Sequence, residues 1–189
     1  MSFLRIYDQV ANVVKSGGKC LAPDQLVWTE SGPVSAKELD GKRFVALSFD
    51  PPSGSFKAKW ATARKSGQKQ LVRVTTDKGT FDVSSDHPFL LAGSRMPAMA
   101  GQLSPGQRLY ALNCSKHTSK GAETGYTNIG STWRGAELWH RMIARDILAV
   151  DISNKVVHHK SGIPSDSHPS NLSVLDGQSV HAALHNAEL

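Results

Sequence analysis

Residues 156–185 read VVHHKSGIPSDSHPSNLSVLDGQSVHAALH, and this stretch decides how the C-terminal end of the chain folds. Five of the eight histidines lie in it. A β-branched run ends on His158 and His159, and a loop of Gly, Pro, Ser and Asp leads to Asn171-Leu172. His181 and His185 stand four residues apart, which puts two imidazoles on one face of a helix, within reach of one metal ion. The pattern predicts a short strand, a ββ-type turn and a closing helix.

Upstream, Arg134 to Val150 reads as a helix with Leu138, Met142 or Ile143, and Ile147 on one face. Residues 114–132 are small and polar and read as a linker. From Cys20 to Asn113 the texture is β-like: QLVWT at 25–29, RFVALS at 43–48, QLVRVT at 70–75 and TFDVS at 80–84, with turn residues between. Short strands at such spacing predict a compact all-β unit. Residues 1–16 read as an amphipathic helix through Phe3, Leu4, Tyr7, Val10, Ala11 and Val14, stopped by Ser16-Gly17-Gly18. The expected organisation is therefore a flank at 1–19, a β-unit at 20–113, a linker at 114–132 and a small α+β unit at 133–189.

Composition sets limits. The chain has 189 residues, of which 39% are apolar and 20% charged, which suits a packed core and argues against a disordered chain. The net charge of +6 is uneven: residues 1–113 carry 15 basic and 9 acidic side chains, whereas 114–189 carry 7 of each. Charge alone therefore does not draw the histidine-rich end to DNA. Two cysteines, Cys20 and Cys114, are too few for a disulfide framework and fit a reduced compartment. No apolar run approaches the ~20 residues of a membrane span, and the N-terminal residues lack the pattern of a signal peptide. A soluble, cytoplasmic protein with no membrane partner is expected.

The C-terminal stretch resembles the HNH family of nucleases, whose core is a ββα-metal fold; the resemblance covers about residues 133–187. It implies that His159 is the general base, that Asn171 orients that base, and that His158, His181 and His185 hold a divalent metal ion. The chemistry needs these types. Imidazole is a base near neutral pH, and a cation offsets the charge that builds on a phosphate under attack. Imidazoles suit Zn and Ni better than Mg, and Mn, Mg, Zn and Ni all stay open. Double-stranded DNA is the implied partner. The bland alternative is a zinc-stapled mini-domain, although a closed site wants four ligands and no cysteine lies in this stretch. His117, His140 and His168 read as solvated surface residues.

A second set opens at Cys20. The text CLAPDQLVWTESGPVSAKEL at 20–39, GTFDVSSDHPFLL at 79–91 and QLSPGQRLYAL at 102–112 resembles, in order, the N-terminal blocks of inteins and related Hint domains. The implied fold is the β-rich Hint horseshoe, followed here by the ββα-metal unit. The implied chemistry is an N-to-S acyl shift in which the Cys20 thiol attacks the carbonyl of Lys19. His87 would protonate the leaving nitrogen, while Ser84, in a place usually held by Thr, and Asp86 would position or polarise the same peptide. His185-Asn186 imitates the end of an intein, but Ala187 follows and is no nucleophile, so cis-splicing is not expected. The alternatives implied are a separately encoded C-terminal intein half as partner, splicing in trans, or a truncated relic. Residues 5–19, RIYDQVANVVKSGGK, resemble a segment of ribonucleotide reductase at which inteins insert, which makes residues 1–19 an extein.

The resulting expectation is an intein fragment carrying an HNH homing endonuclease in a bacterial or phage-infected cell. Two rivals remain: an HNH fold that grips DNA without cutting, and a self-cleaving Hint module.

Overall fold

Strand β3 (Arg43–Asp50) is apolar almost throughout, and only its first residue is exposed. Such a run suits a strand covered on both sides. Phe44 and Ala46 join Val27 and Leu39 in one cluster, while Val45 and Leu47 face the other way, into a larger one. Around β3, strands β1 (Leu26–Thr29), β2 (Gly32–Ser35) and β4 (Ser55–Thr62) complete an antiparallel sheet in the order β2-β1-β3-β4. β3 and β4 stay in register from Arg43↔Thr62 to Asp50↔Ser55, which sets Val45 beside Trp60 and Leu47 beside Ala58. The computed structural model describes residues 20–50, 53, 55–65, 68–94, 96–110, 112–131 and 134–187. The amphipathic helix and flank expected at 1–19 lie outside them.

Two hairpins follow, β5 (Leu71–Thr76) with β6 (Gly79–Ser84), then β7 (Pro88–Leu90) with β8 (Pro97–Met99). Phe81, Val83 and Ala100 form a third cluster with Leu21, Val72, Val74 and Phe89. Leu21 packs against two clusters at once, the one at Phe81 and the one at Phe44. The residue after Cys20 is thus fixed from two sides.

Where the sequence suggests a linker, the chain instead forms a long hairpin, β9 (Leu112–Ser119) and β10 (Ala122–Ser131). Lys120 and Gly121 turn it with φ of 50° and 82°, both positive, as a two-residue hairpin loop that follows the strand twist requires. Arg134–Leu138, expected as the first part of a helix, is strand β11, paired to β10 through Asn128↔Leu138 and Ile129↔Glu137. The helix itself, α1, is confined to Trp139–Asp146. Strand pairing along an available edge outweighs the weak helical periodicity of residues 134–138. Beyond α1 come β12 (Val156–His159), β13 (Leu172–Leu175) and α2 (Gln178–Ala187), the expected strand, turn, strand and helix.

The largest cluster crosses the expected boundary between units. It joins Val45, Leu47 and Ala58 of the first sheet to Ile129 of β10, Trp139, Met142, Ile143 and Ala144 of α1, Val157 of β12 and Leu172 of β13. Two buried polar contacts tie the same parts: Trp139 Nε1 donates to Thr29 O at 3.1 Å, and Ala58 N–H to an Asp146 carboxylate oxygen at 2.8 Å. The histidine-rich end therefore shares its core with the β-unit. Among the described residues no helix is long and apolar enough to cross a membrane.

Candidate functional site

Two constellations stand out. The first centres on Cys20. Leu21 bridges antiparallel to Val83, and Ala22 N–H donates to Asp82 O at 2.9 Å, so the start of the described chain lies along the end of β6. Cys20 and Ser84 then bind each other reciprocally: Ser84 N–H donates to Cys20 O at 2.9 Å, and Cys20 N–H to Ser84 Oγ at 3.0 Å. In the acyl shift expected from the sequence, that Cys20 nitrogen would be the leaving atom. The Ser84 hydroxyl also bonds the Asp86 carboxylate, which holds that acid below the usual carboxylate range against the cost of its burial, with help from Lys69 and His87.

His87 follows on the same turn. Its N–H donates to Ser84 O at 2.9 Å and its carbonyl accepts from Ala100 at 2.7 Å, while its ring lies edge-on to Phe89, centroids 5.5 Å apart. Ser84 and His87 are both buried. Gly101 makes this fit possible, since a Cβ there would stand 3.2 Å from the Ser85 side chain. Ser84, Asp86 and His87 thus share one short turn, and Cys20 is bound to its first residue from a neighbouring segment. Chemically, the arrangement holds the Cys20 N–H on a hydroxyl that is itself bound to a carboxylate.

The second constellation is the histidine-rich end. Alternation along β12 sends His158 and His159 to opposite faces. His158 meets His181 of α2, the ring centroids 5.1 Å apart and nearly perpendicular. Imidazole nitrogens are donors of the type that transition-metal ions take, and this contact brings two such rings together from adjacent elements. His185 lies on α2, but its side chain is outside the described residues, and among those described no group of three or more His, Cys, Asp or Glu is set to hold a metal. His159 turns the other way. It is buried, its Nε2 has no hydrogen-bond partner among the described residues, and burial lowers its pKa, with His158 adding to the effect.

Asn171 shapes the loop between β12 and β13. Its side-chain amide donates to Asp166 O at 2.8 Å and Ser161 Oγ at 3.0 Å, and its carbonyl oxygen accepts from Ser161 N–H at 2.9 Å. Those bonds brace the loop that follows His159; none of them reaches its ring. His168 is exposed, as its Pro-flanked loop suggests, and accepts from Ser170 N–H at the start of a 3₁₀ turn.

The sequence reading missed three residues. His140, taken as a surface residue, is buried on α1, its ring 4.9 Å from that of His159. Tyr126, placed in the supposed linker, stacks on both, at 4.8 Å from His140 and 5.6 Å from His159. His117 is half-buried, bonds Thr124 Oγ1 through Nδ1 at 2.9 Å and lies 6.5 Å from Tyr126. The signal that would have found them is the Lys120-Gly121 turn, which brings His117 and Tyr126 face to face across a hairpin.

No family model and no curated protein matches the sequence. Among solved structures the chain is similar to a variant of the Ssp DnaB mini-intein, with a TM-score of 0.46 and 17% identity over 66% of this chain and 83% of that one. It is also similar to a DnaB intein from Synechocystis sp. PCC 6803, with a TM-score of 0.43 and 20% identity over 64% of this chain and 84% of that one.

Proposed function

We propose that the chain is a protein-splicing element of the Hint type, in which Cys20 performs an N-to-S acyl shift, joined to an HNH-type metal-dependent DNA nuclease. The observation that carries the first activity is the 3.0 Å bond from Cys20 N–H to Ser84 Oγ, on a hydroxyl itself bound to Asp86. In the shift the Cys20 sulfur bonds to the Lys19 carbonyl carbon and the carbon–nitrogen bond breaks. The thiol proton ends on the Cys20 nitrogen, which leaves as a free amine. Amide resonance opposes this, so any contact that pulls the nitrogen out of plane helps. The Ser84–Asp86 pair acts there, and His87 is the proton carrier on the same turn.

The second activity is supported by the order β12, loop, β13, α2 with His158 against His181. His158 and His181 would hold the metal, with His185 of the same helix as the third ligand. When bound, that ion supplies charge to neutralise the phosphate under attack. His159 Nε2 is the acceptor for the proton of the attacking water. Double-stranded DNA is the substrate.

Two assays test the reading. Thiol added to the purified chain should release residues 1–19 from the wild type and nothing from Cys20→Ala. Supercoiled plasmid incubated with Mn, Mg, Ni or Zn should be cut by the wild type and left intact by His159→Ala. Release without cutting leaves a self-cleaving Hint module; tight DNA binding without cutting leaves a DNA-gripping fold.

A further inference from the structure

Resting on the nuclease reading, we infer that His140 and Tyr126 are positioning residues for His159, and that they orient its ring by packing in place of a hydrogen bond. Three elements far apart in sequence contribute one ring each: Tyr126 from β10, His140 from α1 and His159 from β12. The centroids form a closed triangle with sides of 4.8, 4.9 and 5.6 Å and tilts of 33°, 59° and 39°, within the range in which offset and edge-on ring pairs attract. No other anchor competes for that task. The three side-chain bonds of Asn171 all go to the loop, and the buried Nε2 of His159 has no hydrogen-bond partner among the described residues.

Each neighbour is itself held. His140 is buried on a helix whose adjacent Trp139, Met142 and Ile143 belong to the shared core, so its ring has little freedom. Burial keeps it neutral, its pKa lowered to about 3, so it does not repel His159 at this distance. Tyr126 is fixed by the residue before it. Gly125 has a φ of +79°, at a place where the β9–β10 register shifts, and a Cβ there would lie 3.2 Å from Pro164 of the loop after His159. An added Cβ would therefore be tight against the loop on a backbone whose positive φ favours glycine, and Tyr126 follows directly from that point.

The test is plasmid cleavage by the full chain with Mn, reading kcat and KM separately, for His140→Ala, His140→Phe, Tyr126→Ala and Tyr126→Phe. Losing a flanking ring should lower kcat about 10- to 100-fold, the scale at which small misplacement of a reacting group costs rate, and leave KM for DNA within about threefold. The two phenylalanine variants keep a ring in place and should retain kcat within about threefold of wild type. Full kcat in His140→Ala would overturn the inference. So would an equal loss in His140→Phe and His140→Ala, because the ring would then not be what matters.

The His159 ring-proton NMR signals read the same claim without catalysis. Wild type and His140→Phe should show ring-current-shifted, sharp resonances, and folded His140→Ala should show them moved toward random-coil values. Unmoved resonances would overturn the inference. If the wild type fails to cut with every metal tested yet the signals move as described, the nuclease reading falls and the positioning stands. If the wild type cuts and His140→Ala cuts equally well, the reverse holds.

Discussion

The Cys20 and His159 constellations hold their central side chains by opposite means. At Cys20 the parts are local: a backbone bridge between Leu21 and Val83, a reciprocal pair of bonds between Cys20 and Ser84, and a turn from Ser84 to His87. Hydrogen bonds of fixed direction do the placing. At His159 the neighbours come from a hairpin and a helix, the ring contacts are non-directional packing, and the whole rests on a core that includes Val45, Leu47 and Ala58 of the distant first sheet. A site of the first kind should tolerate changes elsewhere in the chain. One of the second kind should be sensitive to the core beneath it.

That contrast breaks most visibly through the core. Trp139→Ala removes a fully buried indole and its bond to Thr29 O, and should cost about 3–5 kcal/mol of stability, read as a shift in the urea midpoint. Residues 133–189 expressed alone should show no cooperative unfolding, because Val45, Leu47 and Ala58 are then missing from the cluster. A sharp transition from that fragment would restore the picture of two independent units.

Acid should separate the sites next. His140 has a folded pKa of about 3, below the 6.5 of an unfolded histidine, so between those values the unfolded state binds a proton that the folded state does not. Stability from this group is therefore intact above pH 6.5 and falls as the pH drops toward 3, with a slope on the order of 1 kcal/mol per pH unit. His159, lowered in the same direction, adds to it. Thermal unfolding at pH 7.5 and pH 5 measures the drop, and His140→Phe should flatten it. At the Cys20 site Asp86 acts later. Its carboxyl is held below its ordinary value, so its contribution persists until the pH falls below the usual carboxylate range.

Ser84→Ala sharpens the comparison from the other side. It strips one acceptor from the Cys20 nitrogen and one donor from Asp86, and should slow thiol-induced release of residues 1–19 by roughly 10- to 100-fold, the equivalent of about 1–3 kcal/mol. DNA cleavage should not change. Ser84→Thr, which keeps the hydroxyl and stiffens the rotamer, should match the wild type or exceed it. The smallest effect is expected from Asn171→Ala. It removes three bonds from an exposed loop and should cost about 1–2 kcal/mol while loosening the chain after His159.

The same division explains what could be read from sequence. The turn that carries Ser84, Asp86 and His87 is legible because it follows from short contiguous text, a strand ending in a turn. The strand, turn and helix at 156–187 is legible for the same reason, down to Asn171 at the close of its loop. The hairpin at 112–131 is not, because its strands are Ser, Thr, Lys and His with weak alternation and its turn is Lys-Gly rather than Asn-Gly. Missing that hairpin hides Tyr126, and with it the reason His140 is buried. The core shared across residue 133 is hidden on similar grounds. Val45 and Leu47 read as the inside of a β-unit, and nothing local says that α1 covers that face.

The most direct measurement is the mass of the small fragment released when the purified chain is treated with hydroxylamine at neutral pH. A thioester at Cys20 would yield residues 1–19 as a C-terminal hydroxamate, absent from Cys20→Ala and reduced in Ser84→Ala. An intact chain under the same conditions, folded and with a titratable Cys20 thiol, would contradict the acyl shift and with it the account of this site.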